Sequence, residues 1–195
     1  MSGQGAERGA TLAELVIAMA LCATLTAIGA PLVAHTIDAG RGRQAAGFIA
    51  SRFRLARQHA VAQSRSHAIV FDNGPIGWEF RVCVDGNANG VRRAEISAGI
   101  DPCPEGPYRL DALVSGTRIV VNGSLQGPEG DPPSADPVRF GSSDLASFSA
   151  LGTSSSGSVF VQSRDGLQYA VRLAGATGRT RVLRYDAASA AWRDA

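Results

Sequence analysis

The sequence contains no lysine, so all 19 of its basic residues are arginine. Charged residues make up only 18% of the chain, and the formal net charge of +2 is too small to indicate nucleic-acid binding by itself. The apolar fraction of 45% excludes an intrinsically disordered protein. Because a guanidinium binds phosphate through a planar fork that lysine lacks, the positions of the arginines matter.

Residue types and motifs typical of enzymes are scarce. His35, His59 and His67 do not have the spacing of a metal site. No Gly-x-Ser-x-Gly, P-loop or dinucleotide-binding fingerprint occurs. The serines at 154–156 have no histidine near them in sequence, and the glycines on either side are typical of a loop. We therefore expect a protein that is not an enzyme and has no cofactor.

The sequence has only one long apolar run, at 10–34. Glu14 is the single charged residue in it. Its 25 residues exceed the roughly 20 that a helix needs to cross a bilayer. We expect a membrane helix there, after a short polar leader at 1–9. An ionised carboxylate in hydrocarbon is costly. Glu14 is therefore either a tolerated residue near the membrane surface or a group that finds a positive partner in an assembly.

After Pro31 the polarity rises and helical periodicity continues. Ala45, Ile49, Phe53, Ala56 and Ala60 recur at spacings of three and four, which predicts an amphipathic helix. We place this half of the helix at 35–65 and expect the apolar stripe to pack on a globular domain.

The remainder, 66–195, has the pattern of a β-rich head. Short apolar or alternating runs are separated by turn residues such as Asp165-Gly166 and the Gly/Pro-rich 123–137. The predicted fold class is α+β, with a long N-terminal membrane helix and a β-sandwich-like head of two small antiparallel sheets. The runs that predict strands are 68–71, 78–84, 108–113, 117–121, 138–140, 158–163, 169–173 and 179–185.

Three cysteines are present. Cys22 lies in the apolar run, where a small hydrophobe is the default interpretation. Cys83 and Cys103 lie in the polar part of the chain, and in an exported domain such a pair favours a disulfide over two free thiols.

A possible calcium loop begins at Asp85. Asp85, Asn87, Asn89 and Gly90 match the first half of a calcium-binding loop, in which alternate oxygens surround the ion. Position twelve is Ile96 rather than a glutamate, and the same residue types also build plain turns. Calcium and a hairpin turn are the two alternatives.

The stretch 9–17, Gly-Ala-Thr-Leu-Ala-Glu-Leu-Val-Ile, resembles the prepilin signature of the type IV pilin superfamily. The resemblance implies cleavage between Gly9 and Ala10 by a prepilin peptidase, followed by N-methylation of Ala10. Glu14 then becomes the fifth mature residue, and Pro31 the twenty-second, where the family commonly has a kinking proline. A cut after Gly5 places neither residue in register. In this family the glutamate pairs with the amino group of a neighbouring subunit.

Further motifs resemble the GspH/FimT family of minor pilins and pseudopilins. They are Phe53–Ala60, Trp78 with the segment 82–90, and the segments 148–153 and 157–160. The resemblance implies a subunit that joins other pilins in a type IV pilus or a type II secretion pseudopilus. It also implies a single-pass protein of the bacterial inner membrane, with its head in the periplasm or on the filament.

One motif suggests a second function. Gly178-Arg179-Thr180-Arg181 resembles the G-R-x-R motif with which some FimT-like pilins bind DNA during uptake. Arg179 and Arg181 share one face of a strand, where two guanidiniums can clamp a phosphate backbone, and we expect Arg172 and Arg184 to widen the patch. The alternative is an edge strand whose arginines resist edge pairing.

Overall fold

The computed structural model describes residues 11–195, and its first element is the 51-residue helix α1 (Leu12–Ala62). The chain divides within α1 into two compact units, the first ending at Ile37 and the second comprising Asp38–Ala195. Within residues 11–195, all of the β structure lies in the second unit.

The first unit exposes its apolar side chains. Leu12 is 82% exposed, Leu25 71% and Ile28 74%. Within residues 11–195, α1 is the one helix that is long and apolar enough to cross a membrane, and no part of its most apolar 18-residue window is buried. The predicted span at 10–34 falls on this stretch, apart from residue 10, which lies outside the described residues.

The second half of α1 buries one face against the head. The predicted stripe is confirmed, since Ala45, Ile49, Phe53, Ala56 and Ala60 are each 0–2% exposed. The helix ends at Ala62, slightly before the predicted 64–65. The chain then reverses through Ser64 in the left-handed region (φ +50°), and the Arg65 amide donates to the Ala60 carbonyl, a common way to end a helix.

Two antiparallel sheets form the head. The first has the order β3-β2-β1-β5 and the second β4-β6-β7-β8-β9. The strands are β1 (His67–Gly74), β2 (Gly77–Val84), β3 (Glu105–Tyr108), β4 (Val138–Arg139), β5 (Leu145–Phe148), β6 (Gly157–Gln162), β7 (Gln168–Ala174), β8 (Arg179–Asp186) and β9 (Ala191–Asp194), and two short helices are α2 (Arg93–Ser97) and α3 (Leu110–Leu113).

Both sheets and α1 share one hydrophobic core. Phe53 of α1 lies at its aromatic centre, with ring centroids 5.8 Å from Phe140, 6.0 Å from Phe148 and 6.4 Å from Phe71. The outer face of each sheet has its own small cluster, one around Val70 and Cys83 and one around Phe160. The head therefore has one central core on the buried face of α1 and a smaller apolar cluster on the outer face of each sheet.

Several predicted strands differ from the structure. The run at 108–113 is wrong, because β3 ends at Tyr108 and Leu110–Leu113 form α3, which buries Leu110. The run at 117–121 forms only an isolated bridge between Arg118 and Gln162. β5, β9 and α2 were not predicted, because each is short and depends on pairing or packing with a distant segment.

Candidate functional site

The candidate processing residues Gly9 and Ala10 lie outside the described residues, and the structure begins directly after them. Glu14 is exposed in the first turn of α1. Its Oε2 accepts hydrogen bonds from the Thr11 amide (3.1 Å) and the Thr11 hydroxyl (3.2 Å), while its own amide donates to Thr11 Oγ1 (3.3 Å).

This reciprocal pattern is a capping box, which satisfies free amides at the start of a helix. Thr11 and Glu14 have the T-x-x-E spacing of that motif, so sequence reasoning missed an available signal. Within residues 11–195 the hydrogen bonds that the Glu14 carboxylate accepts both end on Oε2, so Oε1 keeps its acceptor capacity there. The carboxylate can therefore cap its own helix and still meet a positive group from outside the chain.

The G-R-x-R motif lies at the start of β8. Arg179 and Arg181 share a sheet face, as predicted, and Arg172 pairs directly opposite Arg181. The expectation for Arg184 is wrong: it is an odd number of residues from Arg181, so it projects from the opposite face. The candidate basic face thus contains three of the four arginines.

Carboxylates neutralise most of this face. Arg181 makes a bidentate ion pair with Asp194 (3.0 Å), and Arg172 forms one with Glu129 from the long loop before β4. Within residues 11–195, Arg179 forms no ion pair. The partners Asp194 and Glu129 are distant in sequence from the motif, and no sequence signal identified them.

Gly178 has a structural role that is independent of any ligand. Its φ is +61°, and a Cβ there would lie 2.4 Å from Arg57 Nε and 2.9 Å from the Gly152 carbonyl oxygen. Arg57 Nε itself donates to that carbonyl (2.7 Å), which joins α1 to the loop before β6. The glycine of the motif is therefore needed for backbone conformation and for passage of the Arg57 side chain.

We expect Gly178→Ala to destabilise the head by about 2 kcal/mol, through left-handed backbone strain and a displaced hydrogen bond. Arg179→Ala, its matched control in the same motif, should change stability by no more than about 0.5 kcal/mol because the side chain is exposed. Urea unfolding of the full chain in detergent measures both. Equal stability of Gly178→Ala and the unmodified chain would contradict the structural role.

The loop after β2 is organised by Asp85, which is 2% exposed. Its Oδ1 accepts the amides of Asn87, Ala88 and Asn89, and its Oδ2 accepts the amide of Gly90 (2.7 Å). Burial raises the pKa of the Asp85 carboxyl, but these amide hydrogen bonds outweigh it and hold the pKa below its ordinary value.

The side-chain amides of Asn87 and Asn89 both donate to Glu95 of α2. Within residues 11–195, no group of three or more His, Cys, Asp or Glu side chains is arranged to hold a metal ion. The hydrogen bonds of Asp85, Asn87 and Asn89 fit the turn interpretation, and the calcium interpretation stays a prediction.

Cys83 and Cys103 form a disulfide in the structure. Cys83 is fully buried in the cluster on the outer face of the first sheet, which also includes Val91 and Ile96. The Val84 amide donates to the Pro102 carbonyl next to the bridge (2.9 Å). The disulfide thus fastens the segment between β2 and β3 across the sheet.

Two histidines that are separated in sequence meet at the end of α1. The ring centroids of His59 and His67 are 6.0 Å apart, and His67 is 2% exposed. Burial lowers the pKa of the His67 imidazole, and its contact with the Arg65 carbonyl only partly opposes this. His67 is therefore neutral in the folded protein at a pH where an exposed histidine is protonated.

We expect the free energy of unfolding to fall as the pH is lowered from about 7 to 5. The unfolded chain protonates His67 near pH 6.5, whereas the folded chain resists, so acidification favours unfolding. His67→Gln should flatten this slope, and His59→Gln is the comparison variant. Chemical unfolding at several pH values measures it, and an unchanged slope in His67→Gln would refute the assignment. Asp85 does not interfere, since its lowered pKa moves its contribution to more acidic pH.

The fold and these sites define a β-rich head on a long helix whose first half is apolar and exposed. No family model matches this chain, and neither a curated protein nor a solved structure matches it. The resemblance to the GspH/FimT family therefore stays a prediction from the sequence motifs.

Proposed function

We propose that this chain is a minor pilin or pseudopilin subunit of a type IV pilus or a type II secretion pseudopilus. In this proposal a prepilin peptidase cleaves between Gly9 and Ala10. The chain then waits in the bacterial inner membrane as a single-pass protein with its head in the periplasm, and joins other pilins through α1.

One observation carries the proposal: a single helix of 51 residues has an exposed apolar first half and a second half whose stripe is buried by the head. A soluble protein gains nothing from exposing Leu12, Leu25 and Ile28, because apolar surface in water is unfavourable. A bilayer covers this surface before assembly, and the helices of other subunits cover it afterwards.

Glu14 gives the proposal its specificity. A carboxylate at the start of an apolar helix is costly to leave unpaired in hydrocarbon. Cleavage after Gly9 would create a positive amino group four residues from Glu14 on each subunit, so neighbouring subunits could exchange charge pairs. The Oε1 atom of Glu14 has acceptor capacity for such a bond.

Mass spectrometry and N-terminal sequencing of the membrane-extracted chain, with and without a co-expressed prepilin peptidase, test the proposal. A peptidase-dependent start at Ala10, with or without an added methyl group, supports it. An uncut chain, or a cut near residue 34 that removes the apolar stretch, would overturn it.

DNA uptake through the G-R-x-R motif is the weaker alternative. The ion pairs of Arg181 with Asp194 and Arg172 with Glu129 leave little free positive charge on that face. Non-specific DNA affinity depends on arginines that are free to neutralise phosphates. A mobility shift at low salt that is lost in an Arg179→Ala/Arg181→Ala variant would revive this function.

A further inference from the structure

The arginines of the head divide into two groups. Eight of them form ion pairs with carboxylates within residues 11–195, as Arg52 of α1 does with Glu105 and Arg81 of β2 with Asp72. A second group forms no ion pair within residues 11–195 and includes members close to the start of the second unit. This group includes Arg41 and Arg43 of α1, Arg118 and Arg164 beside a polar pocket, and Arg184 of β8.

Arg118 and Arg164 line the same pocket, which has a volume of about 380 Å³. Arg118 is held at its edge by two backbone hydrogen bonds with Gln162, of 3.0 and 2.9 Å. Gly116 has a φ of +82°, and a Cβ there would lie 3.0 Å from Arg164 Nε, so the Arg164 side chain lies against the Gly116 backbone. Among the described residues no carboxylate lines this pocket itself, and the nearby Asp38 carboxylate interacts with the charge of Arg164.

The pocket is fixed to the first turn of α1 in the second unit. The Asp165 amide donates to Asp38 Oδ2 (2.8 Å), and a Cβ on Gly42 would lie 3.2 Å from the Ser163 side chain. Asp38 follows directly in the chain after Ile37, the last residue of the apolar unit. The turn between β6 and β7, with Arg164, is therefore held at the point where the chain leaves its apolar stretch.

A second pocket of about 340 Å³ adjoins the same stretch of α1 and is lined by Ala39, Arg43, Tyr169 and Arg184, among others. The Tyr169 hydroxyl donates to the Ala39 carbonyl (2.8 Å), which fixes the second sheet to the helix at this level. Asp186 and Asp194 also reach this pocket, but they pair with Arg193 and Arg181. Arg43 donates to the Ala195 backbone oxygen (2.8 Å), and neither Arg43 nor Arg184 forms an ion pair within residues 11–195.

We infer that these arginines form a basic base of the head that binds anionic phospholipid headgroups. The basic base consists of Arg118 and Arg164 in the first pocket and Arg43 and Arg184 in the second. Guanidiniums bind phosphate oxygens bidentately. A phospholipid headgroup whose phosphodiester is not balanced by a cationic choline keeps a net negative charge. The inference rests on membrane insertion of the apolar stretch, which the proposed function requires, because insertion brings the following residues to headgroup depth.

The basic base would hold the head close to the membrane before assembly and release it when the subunit leaves the bilayer. DNA is a poorer fit, because the four arginines lie in two separate pockets without an exposed aromatic platform for bases. A lipid headgroup needs only one pocket at a time.

Native mass spectrometry of the full chain in a mild detergent tests the inference. The chain is titrated with phosphatidylglycerol or with phosphatidylcholine, and the bound lipids are counted. We expect preferential binding of phosphatidylglycerol, and a drop of roughly 10- to 30-fold in its affinity for Arg118→Gln/Arg164→Gln, since each arginine near an anionic surface contributes about fivefold. Arg54→Gln/Arg65→Gln, which removes two exposed arginines that form no ion pair in the described chain, should bind like the unmodified protein.

Equal binding of the two lipids, or equal loss in both double variants, would overturn the inference. Displacement of phosphatidylglycerol by millimolar inorganic phosphate would also overturn it, because the site would then be one for free phosphate. Reconstitution of the same samples into phosphatidylcholine nanodiscs separates the two proposals. If the chain enters the nanodiscs but shows no lipid preference in the detergent titration, only this inference is wrong. If the chain does not enter the nanodiscs, the proposed membrane anchoring is wrong as well.

Discussion

If the chain assembles with other pilins as proposed, Glu14→Gln is expected to remove it from filaments while leaving α1 capped. A glutamine oxygen still accepts the Thr11 amide, as capping boxes with glutamine do. It has no charge to pair with the amino group of a neighbouring subunit. Loss of one partner from a buried ion pair costs about 3–5 kcal/mol, so cysteine crosslinking to other pilins should fall roughly 100-fold or more.

Glu14→Ala separates the two roles of this carboxylate, because it loses the cap as well as the charge. If assembly needs the charge, the glutamine and alanine variants should fail equally. If assembly is normal in Glu14→Gln and lost only in Glu14→Ala, then Glu14 acts through the Thr11 cap and the charge-pair mechanism is wrong. Normal crosslinking of both variants would favour a membrane protein that never assembles.

Phe53→Ala should produce the largest loss of stability in the head. Phe53 is fully buried and contacts three aromatic rings, from Phe71, Phe140 and Phe148. Truncation removes contacts to both the first sheet and the segment around β4, and leaves a cavity that rigid rings cannot fill. We expect a loss of about 3–5 kcal/mol in the free energy of unfolding.

Urea unfolding of the full chain in detergent, followed by near-UV circular dichroism, measures this effect. Leu55→Ala on the same helix is the control, since Leu55 is only half-buried, and its loss should be clearly smaller. Similar losses in the two variants would mean that the aromatic centre does not hold α1 to the sheets.

Sequence periodicity predicted the parts of the fold that depend on local pattern. The stripe from Ala45 to Ala60 is buried because a spacing of three and four places these residues on one helix face. The strand around Val159 and Val161 was also predicted, and it is β6. Leu110–Leu113 was misassigned because four residues are too few to show a period, and packing of Leu110 decided their conformation.

The candidate DNA-binding face likewise has some features that local pattern predicts and others that depend on tertiary contacts. Alternation along β8 correctly placed Arg179 and Arg181 on one side of the sheet. It also contained the information that Arg184 lies on the other side, which we overlooked. The pairing of Arg181 with Asp194 depends on the β8–β9 hairpin, and that of Arg172 with Glu129 on a long loop, so neither followed from local pattern.

By itself, the sequence determined that this protein has one apolar helix with a carboxylate near its start, followed by an amphipathic half and a β-rich head. The hydrophobic pattern and the backbone periodicity that it matches are local properties, and both are written in the order of the residues. The tertiary structure alone decided which arginines are neutralised and which remain free. An arginine's charge is cancelled by whichever carboxylate the fold places within about 4 Å, and such partners here lie up to 53 residues away in the chain.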